Sequence, residues 1–144
     1  MLVATLWVGS LWTVGYLVAP TLFATLADRA LAGTIAGSVF RAEAWLSLAC
    51  AVSLLLLLRR SPENFPDAGR TGRWSPLWLV IAMALCTVIG YFGLQPFMAT
   101  IREAAAGREI TGDARLYFGL LHGAASVIYL LQSLLGVALV LKLR

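Results

Sequence analysis

Four apolar stretches govern what this chain can become. They run from Leu2 to about Leu26, from about Ala36 to Leu58, from about Pro76 to Ile101 and from about Ala114 to Leu141. Each reaches the ~20 residues that an α-helix needs to cross a bilayer. In hydrocarbon every backbone N–H and C=O must find a partner within the segment, so each stretch is expected to be helical. Barrel strands would be about ten residues long with alternating polarity, and the sequence has no such alternation. The expected fold is all-α: an integral membrane four-helix bundle, one domain over residues 1–144. Charge agrees. Only 12% of residues are charged, about half the level of a soluble domain, so lipid must solvate most of the surface.

The polar segments set the ends and the orientation. Ser75 is placed to cap the third helix, with Pro76 at its first position, and Asp113 to cap the fourth. Gly107 is expected to stop the "IREAAAG" extension of the third. The stretch 61–75 is rich in Pro, Gly and charge and reads as a loop, with Trp74 and Trp78 suited to the interface. That loop with its flank carries Arg59, Arg60, Arg70 and Arg73, and the tail carries Lys142 and Arg144; these six face Arg29, Arg41, Arg102, Arg108 and Arg115 on the other side. The excess of positives places both termini in the cytoplasm of a bacterial inner membrane. The first stretch lacks a basic leader and exceeds the usual signal-peptide core, so it is expected to remain as a span.

An internal repeat is visible. "VGYLVAPTLFATL" (14–26) resembles "IGYFGLQPFMATI" (89–101), and a shift of 75 brings Gly15 onto Gly90 and Tyr16 onto Tyr91. Pro20 and Pro96 fall one step out of register. Two repeated helix hairpins of one orientation follow from this, as in parallel transporter repeats.

Soluble-enzyme signatures are missing: no GxGxxG, Walker A, HExxH, paired CxxC or GxSxG occurs. No enzyme activity is expected. The net charge of +4 is spread between apolar runs and reads as topology, so no nucleic-acid partner is expected either.

Two kinds of residue stand out inside the spans. Small residues four apart, Gly33 with Gly37 and Gly119 with Gly123, the latter continued by Ser126, let helices approach closely in lipid. They serve packing inside the bundle, or between protomers of a homo-oligomer. Polar residues form the second set. At ~1.5 Å per residue, His122 lies about 28 Å from the cytoplasmic end of its helix. Gln95 shares that height, Arg41 and Glu43 fall within a turn of it, and Tyr16 and Tyr91 lie a turn deeper. Ionisable groups inside a membrane usually face the bundle interior or a wet cavity. One reading is a site in the outer half for an unidentified small solute or metal ion, with His122 as acceptor or ligand and Arg41 attracting anions or holding Glu43. The other is a register-fixing network in an accessory subunit.

Cofactors are not expected. Cys50 and Cys86 fall at one height with Met83 nearby, a weak candidate for copper(I), but more naturally act as small hydrophobes. His122 lies about 15 Å above them, too far to share an ion. Haem would need bridging between protomers or one axial ligand, since the chain has one histidine.

Taken together, "WVGSLWTVGYLVAPTLFATL" with "AGTIAGSVFR", then "LQPFMATIREA", then "YFGLLHGAASVIYLLQSLLGVAL" resemble the transmembrane protein 205-like family, also catalogued as a domain of unknown function. The family pattern maps onto Gly37, Phe40, Pro96, Phe118, His122, Gly123 and Ser126. The resemblance implies four spans and, through a eukaryotic member linked to platinum-drug resistance and vesicle traffic, transport or trafficking. The chain departs from the family in a short loop before the fourth helix. It also carries Gln95 where the family has a Glu before the Pro.

Overall fold

The computed structural model describes residues 1–60, 75–105 and 110–143. The loop 61–74 with Arg70, Arg73 and Trp74, the expected helix stop at Gly107, and Arg108 and Arg144 lie outside that range. Four helices form the fold: α1 Leu2–Thr25, α2 Arg29–Arg60, α3 Pro76–Ala104 and α4 Gly112–Lys142. They hold 24, 32, 29 and 31 residues, about 36–48 Å of helix. All four are long and apolar enough to cross a membrane. They exceed the ~30 Å hydrocarbon core, so their ends reach into the headgroup layers. The chain is a multi-pass membrane protein.

Local chemistry sets the ends. Asp28 Oδ1 accepts from the backbone N–H of Ala30 at 2.8 Å and of Leu31 at 3.1 Å. This cap starts α2 at Arg29, well ahead of the apolar run at Ala36. The Ser75 hydroxyl accepts from the Trp78 N–H at 3.5 Å, and Pro76 takes the first helical position. The entry to α4 differs from expectation. Thr111 holds the cap position without a side-chain bond, Gly112 turns the chain at φ +60°, and Asp113 lies inside the first turn. There its charge still meets the positive end of the helix dipole.

Helices α1 and α3 share an irregularity. Each widens into a π-helical stretch, Thr13–Val18 in α1 and Val88–Leu94 in α3, immediately followed by the segment that holds Pro20 or Pro96. Proline lacks an N–H, and its ring crowds the carbonyl four residues earlier, here that of Tyr16 or Phe92. Opening the turn to i→i+5 bonding moves that carbonyl aside without breaking the helix. The shift of 75 that aligns the sequence halves carries Thr13 onto Val88, the first residue of each π stretch.

The helices form a ring in chain order: α1 packs on α2, α2 on α3, α3 on α4, and α4 back on α1. Alternating direction puts Met1, Arg60, Pro76 and Lys142 at one end. That end is closed by the core: Trp7 and Leu11 of α1, Ala51 and Leu54 of α2, Val80 and Met83 of α3, and Leu139 of α4 are buried. Toward the other end burial falls away. In α4 the buried residues are Gln132, Ser133, Gly136 and Leu139, all in its last third. The ring is tight below and splayed above.

Candidate functional site

Where the helices part they enclose a cavity of about 1240 Å³. Every helix contributes: Tyr16 and Pro20 from α1, Glu43 from α2, Gln95 from α3, His122 and Tyr129 from α4. Of the six residues expected in a polar layer, Tyr16, Glu43, Tyr91, Gln95 and His122 line this space. Arg41 does not. It is exposed and is not among the lining residues. Residues two apart on a helix do not share a face, so burying Glu43 turns Arg41 outward. Among the described residues Glu43 is held by no arginine; its hydrogen-bonded partner is Ser47.

The floor is built from hydrogen bonds between helices. Trp7 of α1 donates its indole N–H to Ser47 Oγ of α2 at 2.7 Å, and Ser47 Oγ donates to Glu43 Oε1 at 2.8 Å. Glu43 is 5% exposed, and its Oε2 has no partner among the described residues. Gln132 of α4 donates to Thr87 Oγ1 of α3 at 2.9 Å. Tyr16 of α1 donates to Ser133 Oγ of α4 at 3.1 Å, and Tyr129 of α4 donates to the Leu11 carbonyl of α1 at 2.6 Å. Three faces of the ring are thus stitched just below the cavity, where unpaired polar groups would be costly.

The open end is cationic. Arg29, Arg102 and Arg115 line the cavity near the start of α2, the end of α3 and the start of α4. One acid, Asp28, lines the cavity beside them, with Oδ1 turned to the backbone N–H groups that it caps. Arg102 crosses the ring: its Nη1 donates to the Gly33 carbonyl at 3.4 Å, and its guanidinium lies 5.9 Å from the Phe118 ring centroid. The His122 ring lies parallel to Phe118, with centroids 6.3 Å apart and planes 2° apart. Guanidinium, phenyl and imidazole form one ladder from α3 to α4, with the cation over a ring face.

The glycines expected at helix contacts divide. A Cβ on Gly33 would lie 3.8 Å from Arg102 and one on Gly37 3.5 Å from it, so these two make a wall for the arginine rather than a backbone contact. A Cβ on Gly119 or Gly123 would meet nothing within 4 Å. Both are exposed, on a side of α4 that no other described residue covers. Ser126 opens onto the cavity, and its hydroxyl bonds the His122 carbonyl of its own helix. Close approach occurs elsewhere, at Gly15 under the Tyr129 ring and at Gly136 against Val8 and Met83. Cys50 is buried in the core, whereas Cys86 lines the cavity. Among the described residues no three of His, Cys, Asp or Glu come together to hold a metal, so Cys50, Cys86 and His122 form no ligand set.

Sequence reading passed over Ser47, Tyr129 and the crossing by Arg102. A signal existed on α4. Phe118, His122, Ala125, Tyr129, Gln132 and Gly136 recur at spacings of three or four, one helix face running from the mouth into the core.

Fold and site define a multi-pass, four-helix membrane protein with an intramembrane cavity. Residues 2–106 match the family described as a domain of unknown function (DUF4149), and the chain belongs to that family. The match covers α1 to α3; α4, which carries His122 and Tyr129, lies beyond it. No curated protein and no solved structure matches the chain.

Proposed function

We propose that this protein binds a small organic anion with an apolar body in the cavity and carries it across the bacterial cytoplasmic membrane. The observation that supports this reading is the ring of Arg29, Arg102 and Arg115 around a cavity to which all four helices contribute. Basic clefts with low-dielectric walls concentrate anions. The aromatic walls, with Phe23, Phe40 and Phe118, suit an apolar body, and few convergent polar groups inside an apolar pocket is the usual pattern of a small-molecule site. A solute fits better than a metal ion, because the described donors are scattered. The reading assigns no catalysis and no resident cofactor.

Three finer points belong to the same proposal. The cavity opens away from the cytoplasm, as the six-against-five balance of Lys and Arg favours. The chain is a member of the transmembrane protein 205-like group, supported by Gly37, Phe40, Pro96, Phe118, His122, Gly123 and Ser126 in order. It works as a homo-oligomer through the open Gly119–Gly123 face of α4.

Proteoliposomes test the function. Naphthalene-2-sulfonate keeps its charge at all working pH values and crosses lipid poorly alone. Wild type should take it up above protein-free vesicles, and Arg102→Gln should lose most of that uptake. Uptake equal to protein-free vesicles sinks the proposal. It would favour the second reading, an accessory subunit in which the bonds from Trp7, Tyr16, Tyr129 and Gln132 only register the helices.

A further inference from the structure

The Glu43 carboxyl is only half used by the fold. Of the chain's seven acids, it alone falls inside an apolar stretch. It sits near the middle of α2, is 5% exposed and borders the cavity. The polarity of its hydrogen bonds is fixed. An indole N–H can only donate, so Ser47 Oγ must accept from Trp7 and turn its own proton to Glu43 Oε1. Oε1 is therefore an acceptor in either protonation state. Oε2 has no partner among the described residues. Register fixing needs Oε1 alone, and a glutamine would serve it equally well. The second oxygen is the part that packing does not explain.

We propose that Glu43 is the proton-binding site of the cavity, with Oε2 as the atom that takes and releases the proton. A carboxylate in a dry site with hydroxyls for neighbours and no counter-ion among the described residues is costly, whereas its neutral form is tolerated. With the proton on, the carboxyl is neutral, and because Oε2 itself is buried its O–H meets a solute acceptor only when the side chains that cover it shift. With the proton gone to water that enters from the open end by the same shift, Oε2 is an unpartnered acceptor in the cavity wall. Trp7 and Ser47 hold the carboxyl in one orientation through both states. The titratable and charged groups that share the space are Tyr16 of α1, Arg29 with Asp28 at the start of α2, Cys86, Tyr91 and Arg102 of α3, and Arg115, His122 and Tyr129 of α4; Cys50 follows on the same helix as Glu43. None of them bonds Oε2. The arginines lie at the mouth, so an arriving anion meets positive charge first and a proton donor deeper in. This extends the anion-carrier reading by making the movement of solute proton-linked, but the proton site itself rests on Glu43 alone.

Infrared spectroscopy of the protein in lipid nanodiscs decides it. Glu43→Gln keeps Oε1 for Ser47 and removes the titration, so the fold should survive, as size-exclusion and helical circular dichroism would confirm. At neutral pH the wild type should show a protonated-carboxyl C=O band that shifts in heavy water and is lost in Glu43→Gln. Identical spectra for the two proteins overturn the proposal. Glu43→Asp is the second variant, since it keeps a titrating carboxyl on a shorter arm. It should retain a shifted band if Glu43→Gln proves hard to fold, and a spectrum without one also overturns the proposal. The result does not depend on finding the solute. A missing uptake with the band present would reject the carrier reading and leave the proton site in place.

Discussion

The hydroxyl of Tyr129 reaches across the ring from α4 and donates to the backbone carbonyl of Leu11 in α1 at 2.6 Å. The acceptor lies just ahead of the π stretch that begins at Thr13. The bond also lies where the packed core gives way to the cavity. Tyr129→Phe keeps the ring and removes the donor, leaving a carbonyl short of a partner in low dielectric. The expected loss is about 0.5–1 kcal/mol, read as a lowered unfolding midpoint in detergent, with helix content unchanged at low temperature. No change in the midpoint would mean that Leu11 is fully satisfied within its own helix.

Gly15 and Gly123 should respond in opposite ways to the same substitution. A Cβ on Gly15 runs into the Tyr129 ring, whose hydroxyl is already tied to Leu11. Gly15→Ala should cost about 1–3 kcal/mol, as overpacking usually does. Gly136→Ala should fall on the same side, because Val8 Cγ2 would lie 2.8 Å away and a β-branched side chain yields little. Gly123→Ala meets nothing within 4 Å and gains helix propensity of up to about 1 kcal/mol. Its monomer should be as stable as wild type or more so. If α4 is the face between protomers, the same variant should weaken self-association by analytical ultracentrifugation.

Much of the fold was open to sequence reading, because bilayer thickness and backbone bonding leave one solution for four such apolar runs. The site was harder. Height along a helix follows from counting, and it brought Tyr16, Tyr91, Gln95, Glu43 and His122 to one cavity. Rotation about the axis does not follow from height, and rotation is what turns Arg41 out of the cavity. Packing inside the bundle at the spaced glycines depends on rotation in the same way. Small residues four apart mark a possible contact, but a Cβ on Gly119 or Gly123 would meet no neighbour among the described residues, and only the fold reveals which way that side of α4 points. The contact at Gly136 carries no such spacing, since Gln132 and Val140 lie four residues to either side. The repeat was partly legible: its matched glycine–tyrosine pairs fall inside the two π stretches that accommodate the prolines.

Arginine variants should separate the mouth from the outer surface. Arg102 is bonded to Gly33 and laid over Phe118, so it is held in place to meet an anion at the cavity. Arg102→Gln should weaken naphthalene-2-sulfonate binding by roughly 1.5–3 kcal/mol, on the order of 10- to 100-fold. Arg41→Gln should leave binding unchanged, because Arg41 is exposed on the opposite side of α2. Raising the salt should weaken binding in wild type, since exposed charges at the mouth are screened, and should do so less in Arg102→Gln. Equal losses in the two variants would mean that the arginines act only through net charge.

His122 can be tested without knowing the solute, because the chain has one histidine. Its ring stacks on Phe118, and Phe118 in turn lies under Arg102. On this geometry the imidazole acts as a flat support, and a second aromatic should replace it. His122→Phe should keep most of the sulfonate uptake, His122→Ala should lower it several-fold, and both should remain folded. Purified wild type should be colourless. A haem axial ligand would give the opposite pattern: a Soret band in wild type, lost equally in His122→Phe and His122→Ala because neither side chain can ligate iron. The two variants thus distinguish stacking from ligation, since only stacking makes phenylalanine better than alanine.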